Sequence, residues 1–362
     1  MADIISIATA EPAYQHLQAD ICSFMLASYQ LDAVESRKLK FLYDHSGINT
    51  RYSIIADYNP ALSAHDFIPL QVGHPFPNLE QRMEIFEREA LMLSLESINK
   101  CIDGVIDANA ITHLITVSCT GMSAPGLDLQ IMQSMELPST IFRTSINFMG
   151  CYAAIHGLKL AKMICDSTPN SNVIVVATEL CTLHFQQAFS EDNAASSLLF
   201  ADGSAAVLIS NCIESKKALT LKEFYSQVED KGQTDMAWKL SSKGFLMTLS
   251  SYIPQLIEAD VEQLIRNALG KNNLQFHEIS HWCIHPGGKR ILDLIQRKMK
   301  LTDSDLQYAR KVLFNHGNMS SPTVLYVLKE IMEATNQDNA TILGMAFGPG
   351  LTMETFTAIK HS

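Results

Sequence analysis

Ser145-Ile-Asn-Phe-Met-Gly150-Cys151-Tyr-Ala-Ala-Ile-His-Gly-Leu-Lys-Leu-Ala-Lys-Met-Ile164 is the stretch on which the reading of this chain turns. An apolar run ends in Gly150 and a cysteine follows at once. Ala154, Leu158, Ala161 and Cys165 then fall on one face of a helical pattern. A cysteine in the first turn of a helix sits at the positive end of the helix dipole, which lowers a thiol pKa and favours the thiolate. The first N–H groups of such a helix have no earlier carbonyl to bond and are free to hold a developing oxyanion. Gly150 lets a substrate or a second backbone approach closely. Cys151 therefore reads as a nucleophile. The competing reading is a small buried cysteine that only packs.

The same unit recurs further along. Cys151 opens a helix and an apolar β-run begins at Val173; Asn318 opens a helix and a β-run begins at Ala340, at the same spacing. Strands alternating with helices predict α/β layers. Two copies, each aiming a helix start at the middle, bring Cys151 and Asn318 face to face. Further strands are expected over Ile4–Ala10, Ile111–Ser118, Ser204–Ile209 and Gly244–Leu249. Helices are expected over 13–29, 32–45, 127–135, 254–269 and 290–300, with another capped by Asn78 and running to Lys100. Residues 55–77, rich in proline, read as loop, and a helix opens at 318–322 and runs to Ala334. The polar stretch Asn211–Asp235 is the expected junction, dividing the chain into halves of 1–212, with the cysteine, and 213–362.

Composition narrows the function. The chain has 362 residues, 47% hydrophobic and 18% charged, enough to bury a sizeable core. A formal net charge of −11 argues against general nucleic-acid binding, which needs a basic surface. No run is long and apolar enough for a membrane span, and the start lacks the pattern of a signal peptide. The 8 cysteines form no C-x-x-C pair, so neither structural zinc nor a disulfide framework is expected, and a reduced cytoplasmic protein is the simplest reading.

Three polar stretches end strands or open helices, around Cys151, His285 and Asn318. The order Cys–His–Asn also occurs in papain-type hydrolases, but here the cysteine stands in Met-Gly-Cys-Tyr, not in the papain signature. Thioester condensation is the other meaning. A thiolate holds an acyl chain, while a His N–H and an Asn amide stabilise the enolate left when a malonyl group loses CO2. No metal or redox cofactor is required for that chemistry.

At these residues the chain resembles the type III polyketide synthases, the chalcone and stilbene synthase family, in a member of bacterial type. Trp282-Cys-Ile-His285-Pro-Gly-Gly288 is similar to the family's His motif and Gly317-Asn318-Met-Ser-Ser321 to its Asn motif. Phe347-Gly-Pro-Gly350 resembles its C-terminal glycine loop, with Ala346 in place of the first glycine. The resemblance covers nearly the whole chain. It implies a thiolase-like fold of two similar halves, a homodimer, and iterative use of malonyl-CoA on an acyl-CoA starter, with CoA thioesters as substrates and no cofactor.

Carried over residue by residue, Cys151, His285 and Asn318 match the triad. Phe200 matches one of two gatekeeper phenylalanines, and Met247 occupies the position of the second. Trp238 falls where plant chalcone synthases keep a cavity glycine. Ser320 matches a cavity serine, Cys119 and Thr120 stand where the plant enzymes have a threonine and a serine, and Ala124 replaces a methionine. Lys38 matches a basic CoA contact, but Phe41 and His45 replace two others, which leaves Arg37 or Lys40 to rebuild phosphate binding. Arg51 extends that basic cluster in sequence. A ketoacyl synthase of fatty-acid initiation is the alternative, separated by its need for a carrier protein, and an interaction protein on the same fold is a third. His156, His184, His281 and His316 read as structural histidines.

Overall fold

Alternation decides the centre of the molecule. In the strand Asn172–Leu180, Val173, Val175 and Ala177 pack toward the helix Ala153–Ser167, while Ile174 and Val176 pack toward the helix Leu79–Ile102. A strand apolar on both faces needs cover on both faces, as in the interior of an α/β sheet. The computed structural model describes residues 1–59, 62, 65, 67–70, 74–229, 235–250, 253–335 and 337–360.

The strands are β1 (Asp3–Ala10), β2 (Tyr14–Leu17), β3 (Thr50–Ser53), β4 (His113–Ser118), β5 (Phe142–Asn147), β6 (Asn172–Leu180) and β7 (Asp202–Ser210) in the first part of the chain. The second part adds β8 (Leu219–Val228), β9 (Met236–Ser241), β10 (Gly244–Leu249), β11 (His281–Ile284), β12 (Thr341–Gly348) and β13 (Thr352–Lys360). Helices are α1 (Gln18–Tyr29), α2 (Ala33–Asp44), α3 (Leu79–Ile102), α4 (Leu127–Ser134) and α5 (Ala153–Ser167). After α6 (Glu191–Leu199) come α7 (Ile253–Lys271), α8 (Lys289–Met299), α9 (Gln307–His316) and α10 (Thr323–Ala334). The start of α3 carries a full capping box between Asn78 and Gln81.

A nine-stranded sheet runs in the order β11-β12-β13-β8-β1-β7-β6-β4-β5. Its two ends repeat one pairing scheme. β4–β6 and β11–β12 are parallel; β6–β7, β7–β1, β12–β13 and β13–β8 are antiparallel. The helix before β6 is α5 and the helix before β12 is α10, so the repeated unit expected from spacing is present as topology. The two schemes join where Asp3 and Ile4 pair with Thr220 and Leu219. This is the mixed α/β, thiolase-like architecture.

Several local expectations are corrected. The predicted helix over 13–29 begins with a strand, because Tyr14–Leu17 pairs antiparallel with Thr50–Ser53 before α1 starts. Part of the polar junction is β8, an interior strand bonded to β1 and β13; its end at 230–234 lies outside the described residues, as does part of the 55–77 loop. A separate helix, α9, precedes Asn318, and α10 starts only at Thr323. Among the described residues no helix is long and apolar enough to cross a membrane.

Candidate active site

Three turns converge at one end of the sheet. Cys151 lies in the turn between β5 and α5. The glycine before it, Gly150, has φ +84°, and a Cβ there would stand 2.3 Å from Pro349 Cδ. Only glycine lets this turn lie against the 347–350 loop. Gly317, before Asn318, has φ +68°, and its Cβ would meet Arg51 Cδ at 2.8 Å and the Leu199 carbonyl at 3.0 Å. Asn318 is then laced to the end of α6: its N–H donates to Leu199 O at 2.9 Å, and the Ala201 N–H donates to Asn318 O at 2.9 Å. His285 follows β11, with its N–H bonded to Met345 O at 2.9 Å.

These turns open on one largely apolar cavity of about 700 Å3, its mouth included. Cys151, His285 and Asn318 line it together, and Phe200, Met247, Trp238, Cys119, Thr120 and Ser320 line the same space. Lys38 does not. It is exposed on α2 and ion-paired with Glu35 at 2.8 Å.

Burial acts against the expected thiolate. Burial pushes the Cys151 thiol up to about 11, against the opposing hydrogen bonds of Ser320 and Asn318. Burial pushes the His285 imidazole down to about 3, and neither ring nitrogen has a hydrogen-bond partner. Both shifts act toward the neutral forms of the pair. The reason is geometric: Cys151 precedes the helix, whose early N–H groups are partly spent, Ala153 on Gly150 O at 3.0 Å and Ile155 on Tyr152 O at 2.9 Å. Desolvation of a charge outweighs what remains of the dipole. The Asn318 amide is oriented by the Ser320 N–H, which donates to Oδ1 at 2.8 Å, leaving Nδ2 as the donor, 3.4 Å from Gly287 O.

Sequence reasoning missed Glu179. It is fully buried in β6, and its carboxylate accepts from Cys119 N (2.8 Å), Thr120 Oγ1 (2.8 Å) and Ser321 Oγ (2.7 Å). One carboxylate thus ties the wall at 119–120 to the loop that carries Asn318. The available signal was an acid inside the apolar run Val173–Leu180, since a buried carboxylate needs partners. Cys119 also steadies the nucleophile turn, because its Sγ accepts from the Gly150 N–H at 3.0 Å. Trp238 is held in the cavity wall by a hydrogen bond from Nε1 to Cys119 O (2.7 Å) and by edge contacts with His184 and Phe245. Met247 sits directly across the β9–β10 hairpin from it.

Arg51 is a correction. It is 3% exposed and takes no part in a surface cluster, because the β2–β3 pairing carries it inward. Its Nε donates to Gln18 Oε1 at 2.8 Å and its Nη1 to Phe200 O at 2.5 Å. Arg37, Lys38 and Lys40 remain as exposed cations on α2. Of the histidines read as structural, His156 bonds Glu354, His184 bonds Thr120 O and His281 bonds Thr335. His316 stacks on Tyr52.

Comparison with known proteins shows the family and the fold. The family model for chalcone and stilbene synthases matches in both parts, the N-terminal domain over residues 1–212 and the C-terminal domain over residues 221–360. Type III polyketide synthase A of Arabidopsis thaliana is 28% identical over 366 residues, covering 98% of this chain and 91% of that protein. A chalcone synthase-like protein of Bacillus subtilis (strain 168) is 29% identical, covering 98% and 97%. In fold, the C-terminal type III polyketide synthase domain of Steely1 from Dictyostelium superposes with a TM-score of 0.91 at 23% identity, covering 100% of this chain and 99% of that one. PKS-I from the brown alga Ectocarpus siliculosus gives 0.90 at 24%, covering 99% and 98%.

Proposed function

This chain belongs to the chalcone and stilbene synthase family of type III polyketide synthases, acyltransferases by reaction, and from that premise we propose how its residues divide the work. Cys151 holds the acyl chain. A proton passes from its Sγ to a ring nitrogen of His285, and the sulfur attacks the starter thioester. The C–S bond to CoA breaks, and the leaving thiolate recovers the proton from the imidazolium. Malonyl-CoA then loses CO2. The electron pair of the broken C–C bond forms an enolate, whose oxygen is held by the His285 N–H and Asn318 Nδ2. The enolate carbon attacks the acyl-Cys151 carbonyl, the C–S bond to Sγ breaks with Cys151 leaving as thiolate, and the extended chain, now on the extender's CoA, is transferred back to Cys151 for another round.

The observation that carries this reading is the shared cavity wall: a thiol, an imidazole with both nitrogens unpaired, and an amide whose Oδ1 is held by the Ser320 N–H, so that Nδ2, which also donates to Gly287 O, is its donor end. A neutral His285 is in the right state to take the thiol proton and then to donate it. Phe200 and Met247 form the neck, Trp238, Cys119, Thr120 and Ser320 shape the chamber, and Lys38 with its neighbours on α2 meets the CoA phosphates. The same proposal includes division of the chain at 212/213 into two thiolase-like halves, a cytoplasmic homodimer, CoA thioesters as substrates and no cofactor. The repeated pairing scheme supports the division.

The test is incubation with malonyl-CoA and a panel of acyl-CoA starters, with products read by mass spectrometry. We expect release of CO2 and CoA and products lengthened by one or more two-carbon units. Extension from a malonyl-carrier protein, with malonyl-CoA inert, would instead place the chain with the ketoacyl synthases.

A further inference from the structure

Behind the neck lies a second cavity, of about 450 Å3 with its opening to solvent included, which shares Cys181, Phe200, Met247 and Trp238 with the catalytic one. Its remaining lining includes Thr182, Ser196, Ser197 and Arg51. The catalytic cavity offers an acyl chain mostly apolar wall; this one offers hydroxyls and a cation.

Arg51 is the unusual group. A guanidinium keeps its charge at any working pH, and this one is almost wholly buried. Its Nε and Nη1 are bonded to neutral acceptors, Gln18 Oε1 and Phe200 O. Its Nη2 is buried and makes no well-formed hydrogen bond, and the neutral hydroxyls of Tyr43 and Tyr58 stand near enough to act on the guanidinium. The carboxylate that acts on Arg51 by charge, Asp202, accepts from Thr182 N at 2.8 Å, Thr182 Oγ1 at 2.5 Å and Ile54 N at 2.9 Å. A buried charged donor left unbonded is costly, and a buried cation is best matched by an anion. The vacant donor belongs to a side chain that lines the second cavity.

We propose, resting on the polyketide synthase reading above, that this cavity is a distal subsite for the free carboxylate of a dicarboxylyl-CoA starter, with Arg51 Nη2 as its donor. The acyl chain runs from Cys151 past Phe200, Met247 and Trp238, and the far carboxylate takes no part in bond making. The subsite serves the starter rather than the extender, because the malonyl carboxylate must leave as CO2 beside His285 and Asn318. Arg51 also bonds the carbonyl of Phe200, whose backbone is bridged to Asn318. A carboxylate seated on Arg51 therefore braces the segment that carries the enolate donor. The bland occupant is an ordered water on Nη2, which predicts no preference among starters.

The wild-type enzyme with saturating malonyl-CoA decides this. Succinyl-, glutaryl- and adipyl-CoA are compared with the monocarboxylyl starters of equal carbon number, and each acid with its terminal methyl ester. We expect kcat/KM at least tenfold higher for one of the acids than for its ester and its monocarboxylyl counterpart. Arg51→Lys and Arg51→Met should erase that ratio, and Met247→Phe, which narrows the neck, should reduce it. Arg51 variants lose the bonds to Gln18 and Phe200 and risk misfolding, so the acid-to-ester ratio on the wild type is the deciding measurement. Extension of monocarboxylyl starters with equal or lower rates for the acids overturns the subsite and leaves the synthase reading standing. No decarboxylation of malonyl-CoA with any starter overturns both.

Discussion

Gly150–Cys151 and Gly317–Asn318 occupy matching places in the repeated topology, yet they are built for different roles. In each, a glycine of positive φ precedes the functional residue, and a helix follows. In each, the glycine is wedged by a residue from the other part of the chain: Pro349 against Gly150, and Arg51 against Gly317. There the likeness ends. Asn318 is fixed through its backbone to 199–201 and through its side chain to Ser320, and Met319–Pro322 separate it from α10. Cys151 lies just ahead of α5, and its sulfur keeps a face on the cavity. In the proposed cycle a donor must hold one orientation throughout, whereas a nucleophile must change its bonding in every step. The repeat sets where the two residues stand, and the immediate surroundings set what each can do.

The largest test of this difference is Cys151→Ala, which should abolish condensation while leaving the melting temperature unchanged, because the change is small and the role covalent. Product at any level from that variant would break the contrast. Next is the thiol's charge state. With a pKa near 11, alkylation of Cys151 should rise about tenfold per pH unit from neutrality upward, since only the thiolate reacts. A plateau reached by pH 8, followed by peptide mapping, would mean that a thiolate exists at rest.

Asn318→Ala should slow malonyl-CoA decarboxylation by about 10²–10³ while Cys151 still accepts a starter. Decarboxylation at the parent's rate would remove the donor role. The wedged glycines come next. Gly150→Ala and Gly317→Ala each force a side chain into left-handed backbone, at roughly 1 kcal/mol or more. Gly150→Ala should lower the melting temperature further, because a proline ring yields less than an arginine stem. The reverse order would erase the distinction between the two wedges. The smallest expected effect is Trp238→Gly, which should shift the masses of the products with condensation retained. An unchanged product spectrum in a well-folded variant would reduce Trp238 to packing.

The sequence was informative wherever the signal was local. Periodicity marked α5 and the buried strand after it, Asn78 marked the start of α3, and three short motifs brought Cys151, His285 and Asn318 to one reaction. Spacing alone located the repeat, because Cys151 and Asn318 stand the same distance ahead of the apolar β-runs at Val173 and Ala340. The β2 strand was hidden because Tyr14–Leu17 is extended only through pairing with Thr50–Ser53, far along the chain. β8 read as a polar junction because its outer residues alternate with buried ones, and the partners β1 and β13 that make it a strand lie at opposite ends of the sequence.

What the amino-acid sequence determined by itself is the reaction class, since motif chemistry travels with residue type and spacing. Tertiary structure alone decided the electrostatics. Arg51 looked like part of a surface charge run and is a buried cation; Glu179 went unread in the sequence and ties the 119–120 wall to the loop that carries Asn318. Cys151 looked like a thiolate at a helix start, and burial acts against that charge. In each case the deciding quantity is desolvation, which depends on what packs around a group from every side and leaves no mark in the residues next to it.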